Sequence, residues 1–169
     1  IKSKLHNFLS KKNRILYFLA NGREAGRDPY FSHFYRVDFS GQNLKLLTPE
    51  DGNHSISLSP DGKYFVDNYS KPNVPPVSVL RNMKGDLLAT LEKADISKLT
   101  ESGWKAPEPI TVKSRDGKWD LYGLMFTPSN LDKTKKYPVV NYIYPGPQGG
   151  GVGSRSFSAA RSDHQAVAE

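Results

Sequence analysis

The chain has no cysteine. That excludes disulfides, thiol catalysis and cysteine-based zinc sites within its 169 residues. No run approaches the roughly 18 consecutive apolar residues of a membrane helix, so no membrane segment is expected. No charged-then-apolar leader is present, and the chain opens in mid-pattern at Ile1-Lys2-Ser3-Lys4. The natural N-terminus is therefore expected to lie upstream, and the absent leader carries no information about targeting. Histidines are few (His6, His33, His54 and His164), and none has metal-ligand spacing. No Gly-x-Ser-x-Gly nucleophile turn occurs, because Ser154 and Ser156 lack glycines at both flanking positions. The glycines of Gly149-Gly150-Gly151-Val152-Gly153 match neither phosphate-binding pattern. They read as a loop leading into a helix. No cofactor and no metal is expected.

What is present is globular: 37% hydrophobic, 11% aromatic and 24% charged residues, enough for one domain or parts of two. The formal charge of +7 is uneven. Residues 1–36 hold 8 Lys/Arg against 2 acids, residues 37–103 hold 7 against 9, and residues 104–169 hold 9 against 6. The N-terminal excess (Lys2, Lys4, Lys11, Lys12, Arg14) has the composition of a nucleic-acid arm, but no reading motif accompanies it. It is taken as a solvated, lysine-rich loop, with no nucleic-acid partner.

Up to residue 91 the pattern is one of short alternating strands separated by turn chemistry. Strands are expected at 14–19, around Tyr35 to Phe39, at Leu44 to Leu46, at 54–59, 64–69, 77–80 and 87–91. In His54-Ser55-Ile56-Ser57-Leu58-Ser59, the even positions face one way and the serines the other, which makes His54 a core imidazole. Pro60-Asp61-Gly62 is a turn, since proline presets φ and glycine tolerates positive φ. Such spacing suggests a sandwich, a barrel or propeller blades.

After Leu91 the pattern changes. Asp95, Ile96 and Leu99 suggest a short helix, 103–109 a linker, and Ile110 to Ser114 with Trp119 to Thr127 a hairpin turning at Arg115-Asp116-Gly117. Tyr137 to Tyr144 is apolar on both faces, as an interior strand of an α/β sheet would be. It ends abruptly in Pro145-Gly146-Pro147-Gln148. That places Tyr144 at a strand exit, where α/β enzymes put reacting groups, and Tyr142 in the core. Phe157, Ala160, His164 and Val167 recur at helical spacing, with His164 expected on that helix's surface.

Two stretches carry a family likeness. Leu46-Leu47-Thr48-Pro49 followed by Ser57-Leu58-Ser59-Pro60-Asp61-Gly62-Lys63 resembles the repeat of TolB-like and peptidase β-propellers. Lys135-Lys136-Tyr137-Pro138-Val139-Val140 and Tyr142-Ile143-Tyr144-Pro145-Gly146-Pro147-Gln148 resemble the start of the catalytic domain in the prolyl oligopeptidase family, in its dipeptidyl peptidase IV branch. The resemblance implies a mixed fold, with C-terminal propeller blades over 1–91, a linker with a short helix over 92–108, and the first strands of an α/β-hydrolase domain over 109–169. It implies a serine peptidase that cleaves near a substrate N-terminus, often after proline, using a Ser-His-Asp triad that follows residue 169. This chain alone would then be inactive.

The family's oxyanion tyrosine corresponds to Tyr144. A phenol with a pKa of about 10 stays protonated at neutral pH, and one oxyanion donor supplies about 2.7–4 kcal/mol of transition-state stabilisation. The implied partner is a peptide substrate. The resemblance also admits a homodimer and favours a periplasmic or secreted location over a cytoplasmic one. A non-catalytic TolB-like propeller that binds protein, and an α/β hydrolase acting on acyl-peptides or esters, stay open as alternatives.

Overall fold

The computed structural model describes residues 8–10, 13–143 and 153–169. The chain divides into two compact units, Ile1–Ala94 with Arg155–Phe157, and Asp95–Ser154 with Ser158–Glu169. The described residues are mostly β-sheet.

The first unit holds two antiparallel meanders. One sheet orders β1 (Phe8–Ser10), β2 (Ile15–Asn21), β3 (Ser32–Asp38) and β4 (Lys45–Leu46) as in the sequence. The other orders β5 (Asn53–Leu58), β6 (Tyr64–Lys71), β7 (Val74–Asn82) and β8 (Leu87–Lys93). The strands expected up to residue 91 are all found. β1 is the addition, since three residues are too few to show alternation.

Period-two alternation sends one face of each sheet inward, and these faces share a core of Tyr17, Phe34, Leu47 and Phe65. Phe34 meets Phe65 edge-on, with ring centroids 5.2 Å apart, a favoured aromatic geometry. Gly85, at φ +90°, lies under Leu47, where an added Cβ would come within 3.1 Å of the Leu47 Cα. Only glycine fits there.

The β5–β6 turn is built from its own side chains. Ser59 Oγ donates to the Tyr64 carbonyl at 2.9 Å, and Asp61 Oδ1 accepts from Lys63 N–H at 3.1 Å. Gly62 takes φ +64°. This fixes Leu58 opposite Phe65 and so puts Phe65 in the core.

The second unit contains a hairpin of β9 (Glu108–Lys113) and β10 (Asp120–Met125), with helices α1 (Ser97–Glu101) and α2 (His164–Ala168). Asp95 Oδ1 accepts the Ser97 N–H at 2.9 Å at the start of α1. The hairpin turn repeats the chemistry of the β5–β6 turn. Ser114-Arg115-Asp116-Gly117-Lys118-Trp119 parallels Ser59-Pro60-Asp61-Gly62-Lys63-Tyr64. Trp119 N–H donates to Ser114 Oγ at 3.0 Å, Lys118 N–H to Asp116 Oδ1 at 3.2 Å, and Gly117 takes φ +71°.

Two expectations are corrected. Residues 137–143 form no strand, and Val139 is 91% and Tyr142 78% exposed, so Tyr142 is not a core residue. An interior strand takes its hydrogen bonds from neighbours on both sides, and no described strand lies beside this run. The second concerns the helix expected from Phe157 to Val167, which is confined to His164–Ala168. Ser162 at φ +52° interrupts helical geometry, and Phe157 N–H bonds Ser70 Oγ instead.

Candidate functional site

Tyr144, the catalytic candidate of the sequence, lies outside the described residues, as does His6. Of the N-terminal basic cluster only Arg14 is described, its guanidinium carbon 5.8 Å from the Phe39 ring centroid. His164 is half-buried against Phe126 and Tyr142, with centroids 5.3 and 4.8 Å away, rather than on an open helix surface.

Among the described residues, a dense group of buried ionisable side chains lies in the first unit. Alternation along β5, β6 and β7 brings His54, Asp67 and Arg81 to the inward face. His54 Nδ1 is 2.8 Å from Asp67 Oδ1, and Arg81 Nε donates to Asp67 Oδ2 at 3.2 Å. Arg81 also bonds Glu50 Oε1 and the Gly85 carbonyl. Both Arg81 and Asp67 are buried. A buried charge is tolerated only when paired and hydrogen-bonded, and these groups compensate one another.

The segment joining the two sheets is held by cationic and imidazole groups along its carbonyls. The Thr48 carbonyl lies 3.3 Å from His33 Nδ1, and the Pro49 carbonyl accepts from Arg27 at 2.7 Å. The Glu50 carbonyl accepts from Arg27 at 3.1 Å and lies 2.9 Å from His54 Nε2. Burial, and then the nearby His54, hold His33 below the usual histidine range. Burial, and then Glu50 and Asp67, push the Tyr69 hydroxyl up. Burial and the 2.7 Å bond to Glu24 push Tyr35 far above the usual phenol range.

This arrangement is structural. His54 and Asp67 have the spacing of an acid–base pair, but Nε2, the atom a general base turns to its nucleophile, is engaged by the Glu50 carbonyl. Glu50, His54 and Asp67 also bring ligand atoms within 4.8 Å of one another. Yet the Arg81 guanidinium already bonds both carboxylates. That cation takes the place a metal would fill, so these residues do not fit a metal ion. His54 is the core imidazole the alternation expects; its charged partners were not anticipated. An Asp and an Arg on inward strand positions were the available signal.

A second set of polar groups gathers residues 155–157 onto the first unit. Arg155 Nε donates to Asp28 Oδ2 at 2.7 Å, Asn53 Nδ2 to Ser156 Oγ at 2.7 Å, and Phe157 N–H to Ser70 Oγ at 2.9 Å. Arg155 also bonds the same Asp28 oxygen through Nη2, and its side chain is 1% exposed.

Two stacked four-stranded meanders sharing a core are consistent with the blades of a β-propeller. Comparison with known proteins narrows that class. Residues 5–76 match the family model of the dipeptidyl peptidase IV (DPP IV) N-terminal region. The chain is 32% identical over 155 residues to a probable dipeptidyl-aminopeptidase B of Ajellomyces dermatitidis, covering 87% of the chain and 16% of that relative. The corresponding protein of Tuber melanosporum is 30% identical over 152 residues, with the same coverage.

Among solved structures, a putative dipeptidyl aminopeptidase IV from Bacteroides ovatus superposes with a TM-score of 0.68 at 28% identity, over 95% of this chain and 22% of that one. Dipeptidyl peptidase 4 of Porphyromonas gingivalis, at 22% identity and a TM-score of 0.67, covers 92% and 21% and shares the fold. The chain is similar to dipeptidyl peptidase IV proteins in sequence and in fold. It spans 16% of the length of the curated relatives named above.

Proposed function

We propose that this chain is part of a serine peptidase that hydrolyses peptide bonds near a substrate N-terminus, often after proline. Residues 1–91 would be propeller, 92–108 a linker and 109–169 the start of an α/β-hydrolase domain. Serine, aspartate and histidine of the triad would come from chain outside residues 1–169, with Tyr144 donating its hydroxyl to the oxyanion. The observation that carries this reading is Tyr144-Pro145-Gly146-Pro147 in a chain whose relatives are dipeptidyl-aminopeptidases. The absence of Gly-x-Ser-x-Gly in the sequence supports a nucleophile elsewhere.

The acyl-transfer step needs a donor where negative charge develops on the scissile carbonyl oxygen. In the full-length protein, Tyr144→Phe is expected to lower kcat on Gly-Pro p-nitroanilide on the order of 100- to 1,000-fold, the usual loss for one oxyanion donor. An unchanged kcat refutes the role of Tyr144. A fluorophosphonate probe should label the full-length protein and leave residues 1–169 unlabelled. Stoichiometric labelling of the short chain overturns the placement of the triad.

A further inference from the structure

His33, in β3, is buried with one ring nitrogen engaged and the other without a hydrogen-bond partner. Its Nδ1 lies 3.3 Å from the Thr48 carbonyl. A carbonyl only accepts, so the ring hydrogen sits on Nδ1 and the lone pair on Nε2. A further proton therefore enters at Nε2, the nitrogen with nothing to donate to. The His54 ring lies beside it, with centroids 5.0 Å apart.

The charged and titratable groups facing His33 are Glu24 and Arg27 of the β2–β3 loop and His54 of β5. Around His54 stand Glu50, Asp67 and Tyr69 of β6, and Arg81 of β7 beyond Asp67. The carboxylates among them are already committed. Glu24 accepts the Tyr35 hydroxyl, Asp67 is divided between His54 and Arg81, and Glu50 turns to Arg81. Both nitrogens of His54 are engaged, at Asp67 and at the Glu50 carbonyl. Arg27 adds a positive charge beside any that His33 acquires. A buried charge is tolerated only when paired, and this site is built for a neutral ring.

The contact that His33 makes belongs to a short joint between the two sheets. Leu47 N–H donates to the Phe34 carbonyl at 2.8 Å, and Phe34 N–H donates to Thr48 Oγ1 at 2.9 Å. Leu47 and Thr48 are both buried, and they carry the chain from β4 towards β5. We propose that His33 is an acid trigger for this joint: a proton taken from solvent at Nε2 releases Leu47 and Thr48 from β3. Each sheet keeps its own ladder, because the imidazolium regains water by leaving its site and needs no strand to separate. Opening of one segment below the threshold of global unfolding is ordinary in folded proteins.

The direction follows from burial and the nearby His54, which hold His33 below the usual histidine range while the joint is closed. The open joint binds the proton more readily, so opening grows as pH falls from about 6.5 through the closed-state value. Its equilibrium constant should rise by up to about tenfold per pH unit in that window.

The test is hydrogen exchange at single-amide resolution in the full-length protein, at about pH 7.5 and about pH 5.5, corrected for intrinsic rates. Protection of the Phe34 and Leu47 amides should fall at the lower pH, by up to about tenfold per unit. Protected amides in the β6–β7 ladder should hold. His33→Gln keeps a donor for the Thr48 carbonyl but cannot titrate, and there the two amides should exchange alike at both pH values. Unchanged protection in the parent overturns the trigger, and so does a uniform loss that includes β6 and β7. A pH response that survives in His33→Gln assigns it to another group. Exchange that is fast at both pH values in that variant leaves His33 a purely structural role. Should His33→Gln not fold, His33→Phe supplies a ring that cannot titrate and is read by the same criteria.

Discussion

Arg81 reaches three acceptors from the centre of the second sheet: Asp67, Glu50 and the Gly85 carbonyl. Replacing it by methionine keeps the apolar stem but leaves Asp67 buried without its guanidinium. Breaking a buried pair in this way costs about 3–5 kcal/mol. Urea unfolding of Arg81→Met should show a loss of that size, and a loss under 1 kcal/mol would mean that Asp67 finds other compensation. His33 supplies the pH dependence at this scale. Its folded pKa is depressed by burial and by the nearby His54. Unfolded chain therefore binds the proton more readily, and the stability His33 contributes is present above its unfolded pKa. That contribution should disappear as pH falls from about 6.5, the unperturbed histidine value, through the lower folded value. Denaturant midpoints across that range should show a shallower acid-side fall for His33→Gln than for the parent.

Strands and turns were the most legible elements, because their signals are local. His54, Ile56 and Leu58 alternate within six residues, and Ser59 to Tyr64 carries every group that closes its own turn. The repeat of that turn at Ser114 to Trp119 was equally available in the sequence, as Ser-x-Asp-Gly-Lys followed by an aromatic residue. The run at 137–143 failed for the opposite reason. Apolarity marks a segment that could pair, but strand structure is shared with a partner that lies elsewhere in the chain.

β8 shows the same dependence from the other side. It pairs with β7 and has no second neighbour among the described residues. Leu87, Leu88 and Leu91 are all exposed, on both of its faces. Open apolar edges recruit other chains. Residues 1–169 expressed alone should scatter light increasingly with concentration, and Leu88→Lys with Leu91→Lys should suppress it. Each surface change should alter stability by no more than about 0.5 kcal/mol. Scattering unaffected by the lysines would place the adhesive surface elsewhere.

For the molecule as a whole, composition excluded thiol and disulfide chemistry within these residues, and the two motif stretches carried the likeness to dipeptidyl peptidase IV proteins. The contact between Asp28 and Arg155 was not legible, since nothing in either residue's neighbourhood announces a partner 127 positions away. The ladder of His54, Asp67 and Arg81 was half legible: strand alternation turns all three inward, but a charge on a core face signals its partner only after the strands are in register.

The β2–β3 connection has a practical consequence for labelling the protein. Glu24 holds Tyr35, Arg27 holds the Pro49 and Glu50 carbonyls, and Asp28 holds Arg155. The turn at 40–43, by contrast, bonds back onto Asp38 of its own hairpin, through Gly41 N–H and Asn43 Nδ2. A fluorophore or epitope grafted between Gly41 and Gln42 would report on the protein without disturbing it. The same graft at Ala25 would separate Glu24 from Arg27 and Asp28, and so disconnect three distant parts of the chain at once.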